Sequence, residues 1–230
     1  MMLRGYEAYQ NRVNRGYEAY QNRVNRGYEA YQNRVNSRTL WCDYFLGVYM
    51  QNWLIVDEKY LDSLRVNIEK RIPFSDYGSD KFKPFFGVLF EKDDLLYITQ
   101  VSHYSNLKHD RMRNALDFKK IYIPSKIAGK PDVPACVVNL NYMFPIPKSL
   151  VSNLEYRDIH KHRTFLSELE KSKYIDLLRD ELKAINTMNL EMVAKKIYKL
   201  KQEVPQDKIS QRCFDFLKLE AFALEYVGKN

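Results

Sequence analysis

The sequence is sparing with the residues and patterns that mark many protein classes. Its 230 residues hold three cysteines, Cys42, Cys136 and Cys213. An odd count with no CxxC spacing argues against a disulfide framework or a zinc ribbon, so small buried thiols are expected. No apolar run is long enough to span a bilayer. The first thirty residues mix Arg and Glu with Tyr and Asn. They lack the apolar stretch of a secretory signal, and a cytoplasmic protein with no membrane partner is expected. The glycine fingerprint of dinucleotide binding, the zincin helix motif and the hydrolase nucleophile elbow are missing. Gly129-Lys130 is followed by Pro131, so it does not complete a phosphate loop. His160 and His162, two apart on an expected helix, point to different faces. Asp57, Asp80, Asp93 and Asp94 suit turns and caps, so no metal site is expected.

Cations and aromatic rings are plentiful. Lys and Arg number 37 against 29 Asp and Glu, a net charge of +8, and the isoelectric point is near 9.2. An acidic partner is implied. Hydrophobic residues make up 45% and aromatics 14%, mostly the 18 Tyr and 12 Phe. That is enough for a packed core and excludes wholesale disorder. The length allows one domain, or one plus an extension.

Residues 4–36 are one eleven-residue unit, RGYEAYQNRVN, written three times without a change: Arg4–Asn14, Arg15–Asn25 and Arg26–Asn36. Repeats selected for packing drift at solvated positions, because only buried positions are held by a core. A tandem repeat of eleven codons read in frame explains the identity without selection on the peptide. The period also keeps Tyr6, Tyr9 and Val13, then Tyr17, Tyr20 and Val24, on one helical face. Each unit nevertheless carries a Gly and two Asn, unfavourable inside a helix, and the stripe is narrow. The expected organisation is a leader over 1–49, outside the functional domain, and a globular unit over 50–230. A helical arm and an engineered tag are the alternatives.

Within 50–230, Trp53, Leu54, Ile55 and Val56 suit a buried strand. Asp57 suits the N-cap of a helix carrying Tyr60, Leu61, Leu64 and Ile68. A polar loop over 73–83 leads to a strand at Phe85–Phe90, a hairpin turn at Glu91–Asp94 and a strand at Leu95–Val101. Asn106–Leu116 reads as a basic helix and Lys119–Ile123 as a strand. Ala135–Leu140 and Tyr142–Phe144 complete five or six strands. From Arg157 the apolar spacing becomes helical, then again over Met192–Leu200 and Phe214–Tyr226. Strands first and helices last give an α+β fold, a small antiparallel sheet or barrel with a helical C-terminal half.

Lys81, Lys83, Lys108, His109, Arg111, Arg113, Lys119, Lys120, Lys126 and Lys130 crowd between positions 81 and 130, near Phe82, Tyr97, Tyr104, Tyr122 and Tyr142. Cations on phosphates and bases on rings is how single-stranded RNA is commonly held. A solvated basic face over a Tyr-rich core fits the composition equally well.

From Met50 onward the chain resembles the ToxN/AbiQ family of endoribonuclease toxins of type III toxin–antitoxin systems, whose antitoxin is a small structured RNA. The resemblance rests on LIVDEKYLDSL, KPFFGVLF, the hairpin ending in VSHYS, VVNLNYMFPIP and RTFLSELEKSKYIDLLRDEL, in that order. It implies a compact, strongly twisted antiparallel sheet or barrel flanked by helices. It also implies metal-independent, cofactor-free RNA cleavage by the substrate's own 2′-OH, leaving a 2′,3′-cyclic phosphate. Such a step needs a base at the 2′-OH, positive charge for the phosphorane and a proton for the departing 5′-oxygen.

Family members carry a hydroxyl doublet followed by Pro and Lys where this chain has Ser102-His103-Tyr104-Ser105. The resemblance assigns Ser102 as a hydrogen-bond donor to the phosphate or 2′-OH. It admits His103, with a reference pKa of about 6.5, as base or acid, and leaves Lys108 or His109 to supply the missing cation. Lys83 matches a lysine that stabilises the scissile region. Tyr60 matches an aromatic on the first helix, although its spacing to Leu64 equally suits the core. The catalytic set expected is therefore Ser102, His103, Lys83 and Tyr60, with Lys81, Lys108, His109, Arg111, Arg113 and Tyr104 binding RNA.

The partners implied are a small RNA antitoxin and substrate mRNA, in a closed protein–RNA hetero-oligomer that serves growth arrest or phage defence. Antitoxins of this type are encoded as short tandem repeats upstream of the toxin. Residues 1–36 are accordingly expected to be such an array read as protein, with Met50 the initiator. The competing classes are a noncatalytic basic RNA-binding module and a structural arm acting through the repeats.

Overall fold

A computed structural model describes residues 51–78 and 81–229. The 1–49 leader lies outside the described residues, as do Met50, Ser79 and Asp80. The elements run β1 (Asn52–Val56), α1 (Glu58–Asn67), β2 (Phe85–Lys92), β3 (Leu95–His103), α2 (Asn106–His109), β4 (Phe118–Ile123), β5 (Val133–Asn139), β6 (Phe144–Pro147), β7 (Val151–Asn153), α3 (Glu168–Asn186), α4 (Leu190–Glu203), α5 (Lys208–Arg212) and α6 (Phe216–Lys229). Seven strands form one antiparallel sheet in the order β4-β5-β3-β2-β1-β7, with β6 also paired to β3. The α+β class read from the sequence is the class observed.

Local chemistry explains most of these elements. Asp57, Ser167, Asn189 and Asp207 each cap a helix, their side chains accepting from the backbone N–H of Tyr60, Glu170, Met192 and Ile209. Asp93 and Asp94 both adopt positive φ, 50° and 62°. This is the backbone of a tight hairpin turn, and Asp tolerates it, so β2 returns as β3 with Lys92 opposite Leu95.

β3 is shared between two groups of strands. Its first half, Leu95–Ile98, pairs with β6, and its last three residues, Val101–His103, pair with β5. β2 follows the other edge. Where the partners change, Thr99 Oγ1 donates to the Asn139 carbonyl at 2.9 Å. Gln100 Nε2 donates to the carbonyls of Phe74 and Lys83 at 2.6 and 3.2 Å. Ser102 and His103 therefore stand on a strand end fixed from both sides.

Beneath the sheet, α6 buries Phe216, Leu219 and Ala223. Its Glu220 accepts from Tyr97 Oη (2.6 Å), Tyr198 Oη (2.8 Å) and Lys92 Nζ (2.9 Å), tying β2, β3, α4 and α6 together. Trp53 Nε1 donates to the Leu178 carbonyl at 2.8 Å and ties β1 to α3.

Three expectations need correction. The helix at Asn106–Leu116 is a single turn, because the chain folds back beyond it: Asn114 Oδ1 accepts from the Lys120 N–H and Ala115 bridges to Phe118. The strand expected at Tyr142–Phe144 starts later. Leu140–Tyr142 form a 3₁₀ turn, and the strand runs through Pro145 and Pro147. Two prolines two residues apart leave both missing donors on one edge, so pairing to β3 survives on the other. The seventh strand, β7, has three residues, too few for a recognisable alternation. Among the described residues no helix is long and apolar enough to cross a membrane.

Glu220→Ala leaves two tyrosine hydroxyls and a lysine without their shared acceptor. It is expected to cost about 3 kcal/mol of unfolding free energy, measured by urea titration, whereas Glu220→Gln, which keeps an acceptor, costs less.

Candidate active site

The end of β3 lies between two clefts. The first, about 490 Å³, is lined by Lys81 and Lys83 from the segment entering β2, Ser102 and His103 from β3, Cys136 from β5, and Arg163, Tyr174 and Glu181 from the approach to α3 and α3 itself. The second, about 580 Å³, contains Arg71, Gln100, Lys108, Arg113, Asp117, Asn139, Asn141, Tyr142 and Arg212. Ser102 lines both.

Each side chain at the first cleft has a structural reason for its position. Lys83 is held through its backbone, its N–H donating to the Ser75 carbonyl at 2.8 Å and its carbonyl accepting from Gln100. Its Nζ lies 4.8 Å from the centre of the Tyr77 ring. Tyr77 Oη in turn donates to Gln100 Oε1 at 3.1 Å. Ser102 Oγ accepts from Asn139 Nδ2 at 3.4 Å, which leaves its own O–H free to donate elsewhere. His103 is exposed and lies opposite Cys136 in the β3–β5 register.

Behind these groups sits a buried carboxyl. Glu181 is 7% exposed, and burial pushes its pKa up to about 7, weakly opposed by a hydrogen bond with the Cys136 thiol. The Cys136 thiol is itself pushed far up by burial and by the Glu181 carboxyl. Tyr174 donates from Oη to the Phe82 carbonyl at 2.9 Å, and burial takes its pKa up to about 12. The Arg163 guanidinium lies 4.4 Å from the Tyr174 ring centre and donates to Glu170 Oε1 at 3.1 Å. Its Nε is buried without a partner among the described residues.

Several expected site residues are placed elsewhere. Tyr60 lines neither cleft. It is fully buried, its hydroxyl donates to the Pro145 carbonyl at 3.1 Å and its ring packs 5.1 Å from that of Tyr226. Its spacing to Leu64 marks the core face of α1. Tyr104 packs with Phe118 and Val137 and donates to Asp110 Oδ1 at 2.8 Å, a bond that raises its pKa to about 12. Its ring is not an open stacking surface.

His109 is buried, and its Nδ1 accepts from the Ser105 N–H at 2.8 Å. Burial, then Lys108 and Lys120, lowers its pKa, so it is a neutral structural ring rather than the missing cation. Lys108 and Arg113 line the second cleft, while the exposed Arg111 lines neither. His162 stacks on Phe82 with ring centres 5.0 Å apart. Among the described residues no three His, Cys, Asp or Glu side chains cluster as metal ligands.

Sequence reading missed Glu181, Arg163 and Tyr174 in the first cleft, and Arg71 and Arg212 in the second. For Glu181 a signal existed: Tyr174, Leu178, Glu181 and Ile185 fall at helical spacing on one stripe, so a charged residue occupies an apolar face. Arg212 is held by a forked pair with Asp117, at 2.8 to 3.0 Å, which links positions 95 residues apart and leaves no local pattern.

Comparison with known proteins places the chain in a family and a fold. The family described as Toxin ToxN, type III toxin–antitoxin system, matches residues 52–224. No curated protein sequence matches. Among solved structures, AbiQ, a lactococcal anti-phage endoribonuclease belonging to the type III toxin–antitoxin system, is 18% identical with a TM-score of 0.61, over 78% of this chain and 99% of that one. A structure concerned with selective toxin inhibition by a non-coding RNA pseudoknot in bacterial type III systems is 19% identical, TM-score 0.58, over 77% and 98%. One in which a processed non-coding RNA regulates a bacterial antiviral system is 16% identical, TM-score 0.57, over 76% and 98%. At these identities the likeness is one of fold.

Because the folded-state pKa of Glu181 is raised, its contribution to stability is present at low pH and is lost as pH rises through about 7. Glu181→Gln removes the cost of ionising a buried acid. Its melting temperature relative to the wild type is expected to climb between about pH 5 and about pH 8, by on the order of a few °C, in scanning calorimetry.

Proposed function

Since the chain belongs to the ToxN toxin family of type III toxin–antitoxin systems, we propose that it is an endoribonuclease toxin and that the first cleft is its active site. The observation that carries the reading is the convergence of Lys83, Ser102 and His103 on one cleft that adjoins a second, cationic one at Ser102. An RNA strand laid across that boundary would have its phosphates near Lys81 and Lys83 on one side and near Lys108, Arg113 and Arg71 on the other.

The reaction proposed is attack of the substrate's 2′-OH on the adjacent phosphorus, forming a 2′,3′-cyclic phosphate and releasing a 5′-hydroxyl, with no metal taking part. Ser102 donates to a phosphate oxygen. Lys83 supplies charge to the phosphorane. His103, on the exposed strand end, accepts the 2′-OH proton. Tyr60, Tyr104 and His109 have no part in this step.

The substrate proposed is cytoplasmic mRNA. The inhibitor proposed is a small RNA antitoxin that occupies both clefts and closes a protein–RNA assembly. The RNA-regulated systems of similar fold support that partner, and the endoribonuclease AbiQ supports the activity. The catalytic unit is assigned to residues 50–230, with the 1–49 leader outside it.

Incubation with unstructured RNA in EDTA is expected to give 2′,3′-cyclic phosphate ends, both for the full chain and for one beginning at Met50. Ser102→Ala and His103→Ala are each expected to lower the cleavage rate by about 10²-fold or more while RNA binding persists, and Lys83→Ala by about 10². Tyr60→Phe should lose about 1 kcal/mol of stability and still cut. Tight binding without cleavage by the wild type would instead make the chain a noncatalytic RNA-binding module.

A further inference from the structure

Transfer to a 2′-OH leaves a requirement that Lys83, Ser102 and His103 do not meet together: the departing 5′-oxygen needs a proton. Once His103 has taken the 2′-OH proton, the donor must be a second group in the same cleft. Of the other titratable side chains there, Lys81 is exposed, Arg163 is committed to Glu170 and two rings, Tyr77 donates its O–H to Gln100 Oε1, and Tyr174 donates its O–H to the Phe82 carbonyl.

Glu181 is different. It is nine-tenths buried yet lines the cleft. Its neighbour Cys136 is the cross-strand partner of His103, and directly paired residues of an antiparallel sheet face the same side. The carboxyl of α3 and the reacting strand end thus border the same cleft, each beside Cys136.

We propose that Glu181 is a catalytic residue of this cleft, the general acid that protonates the 5′-oxygen as its bond to phosphorus breaks. The inference rests on the endoribonuclease reading above. In the step, the O2′–P bond forms and the P–O5′ bond breaks. The 2′-OH proton passes to His103 and the Glu181 proton to the leaving oxygen, so the reaction leaves an imidazolium and a carboxylate that exchange protons with water.

The surroundings favour the protonated form at the start. Cys136 on β5 and Tyr174 on α3, the titratable groups that interact with Glu181, are themselves uncharged at neutral pH. Tyr77, Lys81, Lys83, His103 and Arg163 complete the charged and titratable lining. A phosphodiester entering the cleft brings negative charge, which further disfavours the carboxylate. A buried acid with a pKa of about 7 can give up its proton during turnover and regain it.

The test is single-turnover cleavage by the full chain and by Glu181→Gln, across pH, on RNA and on the same RNA with sulfur bridging phosphorus and the 5′-carbon at the mapped cleavage site. A thiolate departs without needing a proton. Glu181→Gln should cut ordinary RNA about 10²-fold more slowly and lack the wild-type fall in rate above neutral pH. On the bridging-sulfur substrate it should come within about 10-fold of the wild type, with RNA affinity unchanged, which also certifies its fold.

Loss of equal size on both substrates, or a variant within about 3-fold of the wild type on ordinary RNA, overturns the assignment of Glu181 and leaves the endoribonuclease reading intact. A wild type that binds but does not cut overturns both.

Discussion

The arrangement depends on one strand being unable to keep a single partner. β3 spends its first half hydrogen-bonded to β6 and its last three residues hydrogen-bonded to β5. Between them the side chains of Thr99 and Gln100 take over the bonding to neighbouring backbone. A backbone carbonyl or N–H left unpaired inside a sheet is costly, so this handover is obligatory. It lets the strand run from the middle of the core, at Tyr97, to an open end at His103 within six residues. The two clefts are the spaces on either side of that end, and this is why Ser102 belongs to both.

Two buried glutamates show what the same side chain does in different company. Glu220 accepts from two hydroxyls and an ammonium and is a fastening. Glu181 lies among a thiol, a tyrosine and aliphatic groups, where the charged form is penalised. The first environment joins four elements through one acceptor and contributes to folding. The second keeps a proton available near neutrality, a property that costs stability once the group ionises and that suits chemistry.

The basic segment between positions 81 and 130 divides in a similar way. His109 and Tyr104 are consumed by internal contacts that shape the turn after β3, whereas Lys83, Lys108 and Arg113 face the clefts. The second cleft is also lined by Arg71 and Arg212, which come from outside that segment and are paired with Glu69 and Asp117. Charge clustered in sequence is therefore only partly the charge that a bound phosphate would meet.

The sequence by itself determined the elements whose cause is local. Asp57 and Asn189 as caps, the Asp93-Asp94 turn, the buried run Phe85–Phe90 and the helical stripe after Ser167 all follow from residues within one turn or one hairpin. Lys83, Ser102 and His103 were legible as candidates through family resemblance at the strand ends. Tertiary structure alone decided the rest. Tyr60 went to the core because Pro145 and Tyr226 were there to receive it. The basic segment after β3 made one helical turn because Asn114 and Ala115 found partners in β4. Glu181 gained its character from burial in a cleft it shares with Cys136, 45 residues away in the chain, because burial depends on what surrounds a side chain in space and a sequence states only what adjoins it along the backbone.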